Sequence, residues 1–297
     1  MTINIQSLMK RFLHLTGRKA AERLLPSLIA VMLSPLCTDG GRLAAQTGGN
    51  EAKQDKVIQN TRLIGVGGVS VLDTYLSPEE YSGTELRYIS HTVRGSENRK
   101  WRRLIIHQGV ASYSRNRADN ANGIAGDYEF CYGFLRQWTA LGGRLDIKAG
   151  GMADANVGFL YNTRNGNNPA QARLSLDIAP VAMAAYRFSV AGKPLAVRYE
   201  VSAPLAGLRF SPNYGQYYYE IFSRGDYDHN IVPTTFIATP SLRHSLSLDF
   251  RIARTTVRLG YLGDYRQAKV NSLKYHSYSH MFVVGITRTF KITKIEP

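Results

Sequence analysis

Apolar and polar residues alternate with a period of two along most of this chain, in stretches broken by turn residues. The cleanest stretch is 241–251. Leu242, His244, Leu246, Leu248 and Phe250 fall on one face, and Arg243, Ser245, Ser247, Asp249 and Arg251 on the other. Successive side chains of an extended strand point to opposite faces, so this is a strand with one apolar wall and one polar wall. The pattern recurs at 255–264, where Val257, Leu259 and Tyr261 oppose Thr256, Arg258 and Asp264. Leu195, Val197, Tyr199 and Val201 alternate with Arg198, Glu200 and Ser202; Leu174, Leu176 and Ile178 with Arg173, Ser175 and Asp177. Tyr128, Phe130, Tyr132 and Phe134 alternate with Asp127, Glu129, Cys131 and Gly133.

Read this way, the chain predicts ten strands, near 61–73, 83–94, 101–113, 124–138, 141–161, 170–190, 195–208, 240–251, 255–265 and 276–290. Short connections lie near 95–98, 139–142, 192–194 and 252–254. Longer polar ones lie near 73–82, 113–123, 161–171, 208–240 and 264–275. Short turns at one end and long loops at the other are the habit of an antiparallel transmembrane β-barrel. An even strand number puts both termini on the periplasmic side; twelve strands follow if 208–240 holds a hairpin. A soluble periplasmic β-sandwich is the rival, but it would need polar outer faces on both sheets, and one face here is apolar along most strands.

The front of the chain is different. Lys10, Arg11, Arg18, Lys19 and Arg23 precede an apolar run, 24–36, and small residues follow at Ala44 and Ala45. Basic, apolar and small in that order make a secretory signal peptide over 1–45, with cleavage expected after Ala45. The run is shorter than the roughly 20 residues a membrane helix needs, and Pro26 and Pro35 weaken it further. Cys37 follows Ser34, Pro35 and Leu36, without the small residue that lipid-modifying cleavage expects. Residues 46–60 read as a flexible leader and 61–297 as the barrel. No later stretch approaches 18 apolar residues, which excludes helical membrane spans.

Composition narrows this further. The 297 residues carry a formal charge of +15, of which residues 1–45 supply six Lys/Arg against two acidic residues, leaving +11. A basic exported protein meets anionic lipid or lipopolysaccharide, and no helix gathers these charges for nucleic acid. Cys131 is the one cysteine after residue 45, so no intrachain disulfide is expected. Tyr (18) outnumbers Phe (11), as suits aromatic belts at a membrane interface. Phe282, Val284, Ile286 and Phe290 are spaced by two, like the aromatic-terminated last strand read by the outer-membrane insertion machinery. Arg288 interrupts that face near the interface, where a charge costs about 0–1 kcal/mol, and KITKIEP follows Phe290.

The leader ending in Ala-Ala-Gln, the segment SPNYGQYYYEIF (211–222), and GYLGDYRQAKVNSLKYHSYSH (260–280) before MFVVGITRTF carry a resemblance. Together they resemble an uncharacterised outer-membrane β-barrel family of Bacteroidetes, catalogued as a domain of unknown function. The resemblance is strongest from Leu195 onward. It implies a barrel in the bacterial cell outer membrane, and it brings neither an activity nor catalytic residues.

Chemistry was sought among the remaining residues. Some outer-membrane barrels are lipid hydrolases with His and Ser two apart on one strand, but no His-x-Ser or Ser-x-His pair occurs here. His91, His107, His229, His244, His276 and His280 read as interfacial or loop side chains. Asp226, Asp228 and Asn230 resemble the opening of a calcium loop, yet Ile231 and Ile237 stand where Gly and Glu are needed. Gly65, Gly67 and Gly68 lack the lysine and helix of a nucleotide loop and instead thin a strand. Tyr214, Tyr217, Tyr218 and Tyr219 are loop candidates for ligand stacking, read more simply as an aromatic girdle. Lys100, Arg102 and Arg103 are assigned to headgroups.

The polar faces supply lumen candidates. Glu85, Asp127, Glu129, Asp177, Glu200, Asp249 and Asp264 are acidic; Arg87, Arg173, Arg198, Arg243, Arg251 and Arg258 are basic. A selective pore shows a bias of sign around its constriction, whereas balanced side chains pair and fill a narrow barrel. The expectation is a non-enzymatic barrel without metal or cofactor, of little conductance, acting in surface binding or envelope support. A small porin is the alternative, and a lipid-modifying enzyme ranks third. A His or Asp beside a Ser or Thr at the outer rim would favour the enzyme.

Overall fold

The computed structural model describes residues 56–292, apart from 97, 98, 167, 253 and 254. The signal peptide and most of the leader lie outside these residues. Twelve antiparallel strands form one sheet: β1 (Lys56–Asp73), β2 (Ser77–Ser96), β3 (Trp101–Asn116), β4 (Asn122–Ala140), β5 (Leu145–Asn162), β6 (Ala170–Val190), β7 (Lys193–Ser202), β8 (Ala206–Phe210), β9 (Ile231–Thr235), β10 (Leu242–Ile252), β11 (Thr255–Val270) and β12 (Leu273–Ile292). A seven-residue helix, α1 (Tyr218–Arg224), lies between β8 and β9. No described helix is long and apolar enough to cross a membrane.

Ten strands, β1–β7 and β10–β12, close a ring through the β1–β12 and β5–β6 pairings. Directly opposed residues trace how far the ring is sheared. From Val57 the path runs through Gly95, Arg102, Leu135 and Gly150. It continues through Val181, Ser202, Arg243, Asp264 and Ser279. It returns to β1 at Val69, twelve residues beyond Val57. With a rise of ~3.3 Å and a spacing of ~4.8 Å, that shear tilts the strands by about 40° and gives a backbone radius of about 10 Å. Such a ring leaves an interior that side chains fill.

The outer wall is apolar. Ile64, Val66, Phe130, Phe134, Val157, Phe159, Leu174, Leu176, Ile178, Leu246, Leu248, Phe282, Val284 and Ile286 are all exposed, strand after strand. A soluble sandwich would bury them; a bilayer accepts them, and this is an antiparallel transmembrane β-barrel. Trp101, Trp138, Tyr186 and Phe290 ring the end where β1 starts at Lys56 and β12 ends at Ile292, here called the terminal end. Tyr161, Tyr261, Tyr265 and Tyr278 lie toward the opposite end, which carries the longest connection, here called the loop end. There Tyr261 and His280 share a 2.6 Å hydrogen bond, and His244 stacks on Tyr265.

Three expectations need correction. Residues 56–60, read as leader, are the first rungs of β1, paired with 288–292 of β12. The strand read from 141 begins only at Leu145, and 141–143 is a single 3-10 turn, Leu141–Gly143. Three of the predicted long loops, 73–82, 113–123 and 264–275, are mostly strand. Only 74–76 and 271–272 separate the strands where 73–82 and 264–275 were read as loops. Strands of 16 to 21 residues exceed the ~9–11 a bilayer requires, so polar residues once read as loop are ladder residues above the membrane.

The exception is 203–241, which does hold the hairpin that twelve strands required. Between Val181↔Ser202 and Ile178↔Ala206, β6 spends three residues while the chain from β7 to β8 spends four. That bulge, containing Pro204, re-aims the strand. β8 pairs with β6 and β9 with β8, but β9 has no ladder on its other side. The facing half of β11 is joined to this region through Lys269 N–H to Ala238 O (2.9 Å), Gln267 N–H to Ser241 Oγ (3.2 Å) and Asn271 Nδ2 to His229 O (2.9 Å). Among the described residues this is the one seam in the wall without a strand ladder.

Glycine is required at Gly67, where a Cβ would sit 1.9 Å from His280 O on β12. Gly67→Val is expected to abolish the heat-modifiable folded band on an unboiled gel. Gly109→Ala, where nothing lies within 4 Å, is expected to leave it intact. A folded band for Gly67→Val would refute the close β1–β12 approach.

Candidate functional site

The lumen is built in layers, because every second residue of each strand points inward. The central layer is an ion-pair network that straps opposite walls together. Arg243 on β10 grips Glu129 on β4 with two guanidinium nitrogens, at 2.5 and 2.6 Å. Arg266 on β11 donates to the same carboxylate at 2.6 Å and to Asp264 at 3.1 Å. Arg87 donates to Glu85 (2.7 Å) and to Asp264 (2.6 Å), Gln108 donates to Glu129 (2.5 Å), and Ser279 donates to Glu85 (2.7 Å). Arg suits this task because its planar fork meets a carboxylate with two parallel bonds and never loses its charge. Glu85, Arg87, Glu129 and Asp264 are each about 3% exposed or less.

Toward the terminal end an apolar layer follows. Leu104, Leu135, Met281, Val181 and Val283 meet with at most 2% exposure, joined by Ile89, Ile106 and Leu262. His91 lies at this depth, 3.4 Å from Glu200. Beyond it a second polar layer closes the end: Asp249 takes Arg258 at 2.6 and 3.0 Å and Arg198 at 2.6 Å. Asp146 receives Gln137 at 2.6 Å and is paired with Lys148.

The sequence-predicted lumen residues therefore divide. Glu85, Arg87, Glu129, Arg243 and Asp264 share the central layer, and Arg198, Asp249 and Arg258 share the terminal one. Glu200 pairs with His91 between them. Asp127 and Arg173 pair at 3.3 Å on the loop side, near Asp177. Arg251 is exposed at the terminal rim. Arg102, assigned to headgroups, instead turns inward and donates to Gln137 at 2.6 Å.

Several lumen residues escaped the sequence reading: Gln108, Asp146, Lys148, Asp154, Arg209 and Arg266. Arg266 was hidden by a segment read as loop. Asp154 sits on β5 between Ala153 and Ala155, where Gly and Ala on the outer face give no apolar contrast. Arg209 follows the bulge, which breaks simple counting. Glu129, Cys131 and Asp154 bring donor atoms within 4.8 Å of one another, as a metal site would. Both Glu129 oxygens already bind arginine, and two guanidinium charges beside them oppose a cation.

At the loop end the four tyrosines part company. Tyr218 is structural: it accepts from Ala172 N–H (2.7 Å), donates to Gln171 (3.3 Å) and meets Tyr75 edge-on. Tyr217 caps α1, its N–H bound by Glu220 at 2.8 Å, and Gly225 ends the helix in the left-handed region. Tyr214 and Tyr219 are exposed, with Phe222, Tyr227 and Ile237. Asn230, read as a calcium-loop residue, is buried and donates to Gln216 (2.7 Å) and Ser211 O (3.2 Å). Burial pushes the Tyr218 phenol up to about 12 and the Tyr75 phenol higher still.

Ser70, Glu80 and His276 meet on the outward face near the loop end. This is the kind of contact that would favour a lipid-modifying enzyme. Both Ser70 and His276 bind the same Glu80 oxygen, His276 at 3.5 Å, and no Ser70–His276 bond forms. A nucleophilic relay needs the imidazole between hydroxyl and carboxylate; the order here is different.

A closed ten-strand ring with an apolar belt and a lumen packed by ion pairs defines a transmembrane β-barrel. Residues 27–296 match the family described as "Protein of unknown function (DUF3316)", and the chain belongs to that family. No curated protein matches it significantly. Among solved structures it is similar to the transport unit of the autotransporter AIDA-I from Escherichia coli, at 6% identity, 84% coverage of this chain, 93% of the other and a TM-score of 0.43. It is also similar to the outer membrane protease OmpT from Escherichia coli (7%, 82%, 99%, 0.38). A third likeness is to the COG4313 outer membrane channel from Pseudomonas putida F1 (9%, 85%, 100%, 0.31).

Glu129→Gln leaves Arg243 and Arg266 without their shared anion and is expected to cost about 3–5 kcal/mol. Tyr219→Ser, on the surface, is expected to stay within about 0.5 kcal/mol. Urea unfolding in detergent reads both, and equal midpoints would refute the strap. The raised Tyr218 value makes its docking fully effective below the free phenol's 10.0 and lost as pH climbs through about 12. Tyrosinate absorbance should show a late-titrating class that Tyr218→Phe diminishes by one phenol, leaving Tyr75 in it.

Proposed function

We propose that this protein is a non-conducting barrel of the bacterial outer membrane that acts by binding at its loop end rather than by transport or catalysis. The carrying observation is the central layer, where Arg243, Arg266 and Arg87 bridge Glu129, Asp264 and Glu85 across the lumen. An apolar layer backs it. Ions would have to displace paired charges and then cross an apolar constriction, two barriers in series. The exposed aromatic residues of 203–241 supply a surface of the kind that meets partners.

Outer-membrane lipid and lipopolysaccharide are the surroundings that the apolar wall and its aromatic rims fit. The outward series Phe282, Val284, Ile286 and Phe290 on β12 suits recognition by the insertion machinery. A Bacteroidetes source accords with the resemblance carried by residues 211–222 and 260–280.

Reconstitution into planar bilayers tests the reading. The mature barrel is expected to give no steady stepwise conductance. Reproducible ion-selective steps would overturn it in favour of a small porin.

A further inference from the structure

We propose that a cavity on the loop side of the central layer binds a small zwitterion, a molecule of amino-acid size with one ammonium and one carboxylate group. The site lies inside the wall and does not depend on the loop-surface reading above.

The cavity has a volume of about 80 Å³, and Asp154, Asn156, Asp177, Arg209, Arg266 and Tyr275 are among its walls. Its floor is an unusual pairing: Asp154 on β5 stands directly opposite Asp177 on β6. Like charges in that position repel unless something cationic comes between them or one carboxyl keeps its proton. Three nearby guanidiniums are committed elsewhere, Arg173 to Asp127, Arg243 to Glu129, and Arg266 to Glu129 and Asp264; the fourth, Arg209, faces Asp177 and Asp73 without a direct ion pair to either. Asp154 is only 8% exposed, yet its Oδ1 has no hydrogen-bond partner. Two residues along the same strand, Asn156 Nδ2 also lacks one. An acceptor and a donor are thus left open side by side in a buried place, where polar atoms are nearly always matched.

The opposite wall carries the complementary charge. Arg209 on β8 faces inward, directly opposite Ser175. Among the described residues it makes no hydrogen bond or ion pair; its guanidinium lies 5.8 Å from the Tyr275 ring, which Arg173 also covers at 4.4 Å. An ammonium group would settle the Asp154–Asp177 pair, and a carboxylate would settle Arg209. A bare divalent cation would leave Arg209 unanswered and face Arg266 as well. A bare anion would face Asp73, Asp154 and Asp177. At about 10–15 Å³ for each water-sized group, the space holds about five to eight such groups, the size of glycine to serine. Phe210, Ser211 and Ser241 line the cavity beside the seam between β9 and β11, where side-chain bonds stand in for a ladder.

Equilibrium dialysis of the refolded mature protein in detergent tests this with glycine, L-alanine and L-serine. Acetate and methylammonium serve as the two half-molecules. Saturable one-to-one binding of at least one zwitterion is expected, with both half-molecules about tenfold weaker or more. Arg209→Gln and Asp154→Asn should each weaken it by about tenfold, while Tyr214→Ser should not. A heat-modifiable band confirms that each variant folds; if Asp154→Asn does not, Arg209→Gln carries the test. The proposal falls if no zwitterion binds, if a half-molecule binds equally well, or if both variants bind as the parent does. It falls equally if a crystal soaked with these ligands holds only ordered water in the cavity.

Discussion

A chain that crosses a bilayer has no water with which to satisfy its amide groups, so each strand must find a neighbour on both sides. Everything else in this protein answers to that requirement. The ladder runs without a break from β1 round to β7, on through β10, β11 and β12, and back to β1. Closure comes with a displacement of twelve residues, from Val57 to Val69, and this shear sets the radius. The radius then decides what the lumen must contain. A ring of this size is too wide to be filled by alanine and valine but narrow enough for long side chains to meet across it.

Arginine and glutamate meet that need in a way that apolar residues do not. Glu129 and Arg243 stand on strands separated by β5, β6 and β7, so their bond ties walls that share no ladder. Arg87 and Asp264 do the same between β2 and β11. Each pair is desolvated, which costs energy, and the shared carboxylates recover it by accepting several bonds at once. A shift of one residue in any strand would turn these charges into the lipid. The layer therefore enforces register as well as filling space. The apolar layer beside it has the opposite logic: Leu104, Leu135 and Met281 fill volume without directionality and exclude water from the ion pairs above them.

Much of this was legible in the alternation of side chains. The ten strands of the ring and the inward set Glu85, Arg87, Glu129, Arg243 and Asp249 follow from period two and turn residues, whereas the hairpin was only the condition for twelve strands and starts earlier, at Ala206. What failed shares one physical cause. Sequence reading takes contrast between faces as the sign of a strand, and contrast vanishes where the ladder rises out of the membrane and both faces are polar. Residues 73–82 and 264–275 were lost as loops for that reason, and Arg266 with them. Contrast also vanishes where the outer face is made of Gly and Ala, as on β5 around Asp154. Residues 56–60 were lost because Gln59 and Asn60 blur the edge of β1, although they pair in full register with β12.

The two ends of the barrel then differ in a way that the ladder itself explains. At the terminal end the connections are tight and the wall is continuous. At the loop end one extra residue near Pro204 breaks the pairing of β7 with β6 and sends the chain out through β8, α1 and β9 before it rejoins the ring at β10. A bulge is one way that a closed sheet can admit an insertion of this length without losing the bonds below it. The consequence is local. β9 gains β8 but no second neighbour, and β11 keeps β12 but loses its partner above Tyr265. Side-chain bonds from Ser241 and Asn271 replace a ladder there. The ladder given up by the insertion and the open pair on Asp154 and Asn156 are thus neighbours in the loop half of the wall.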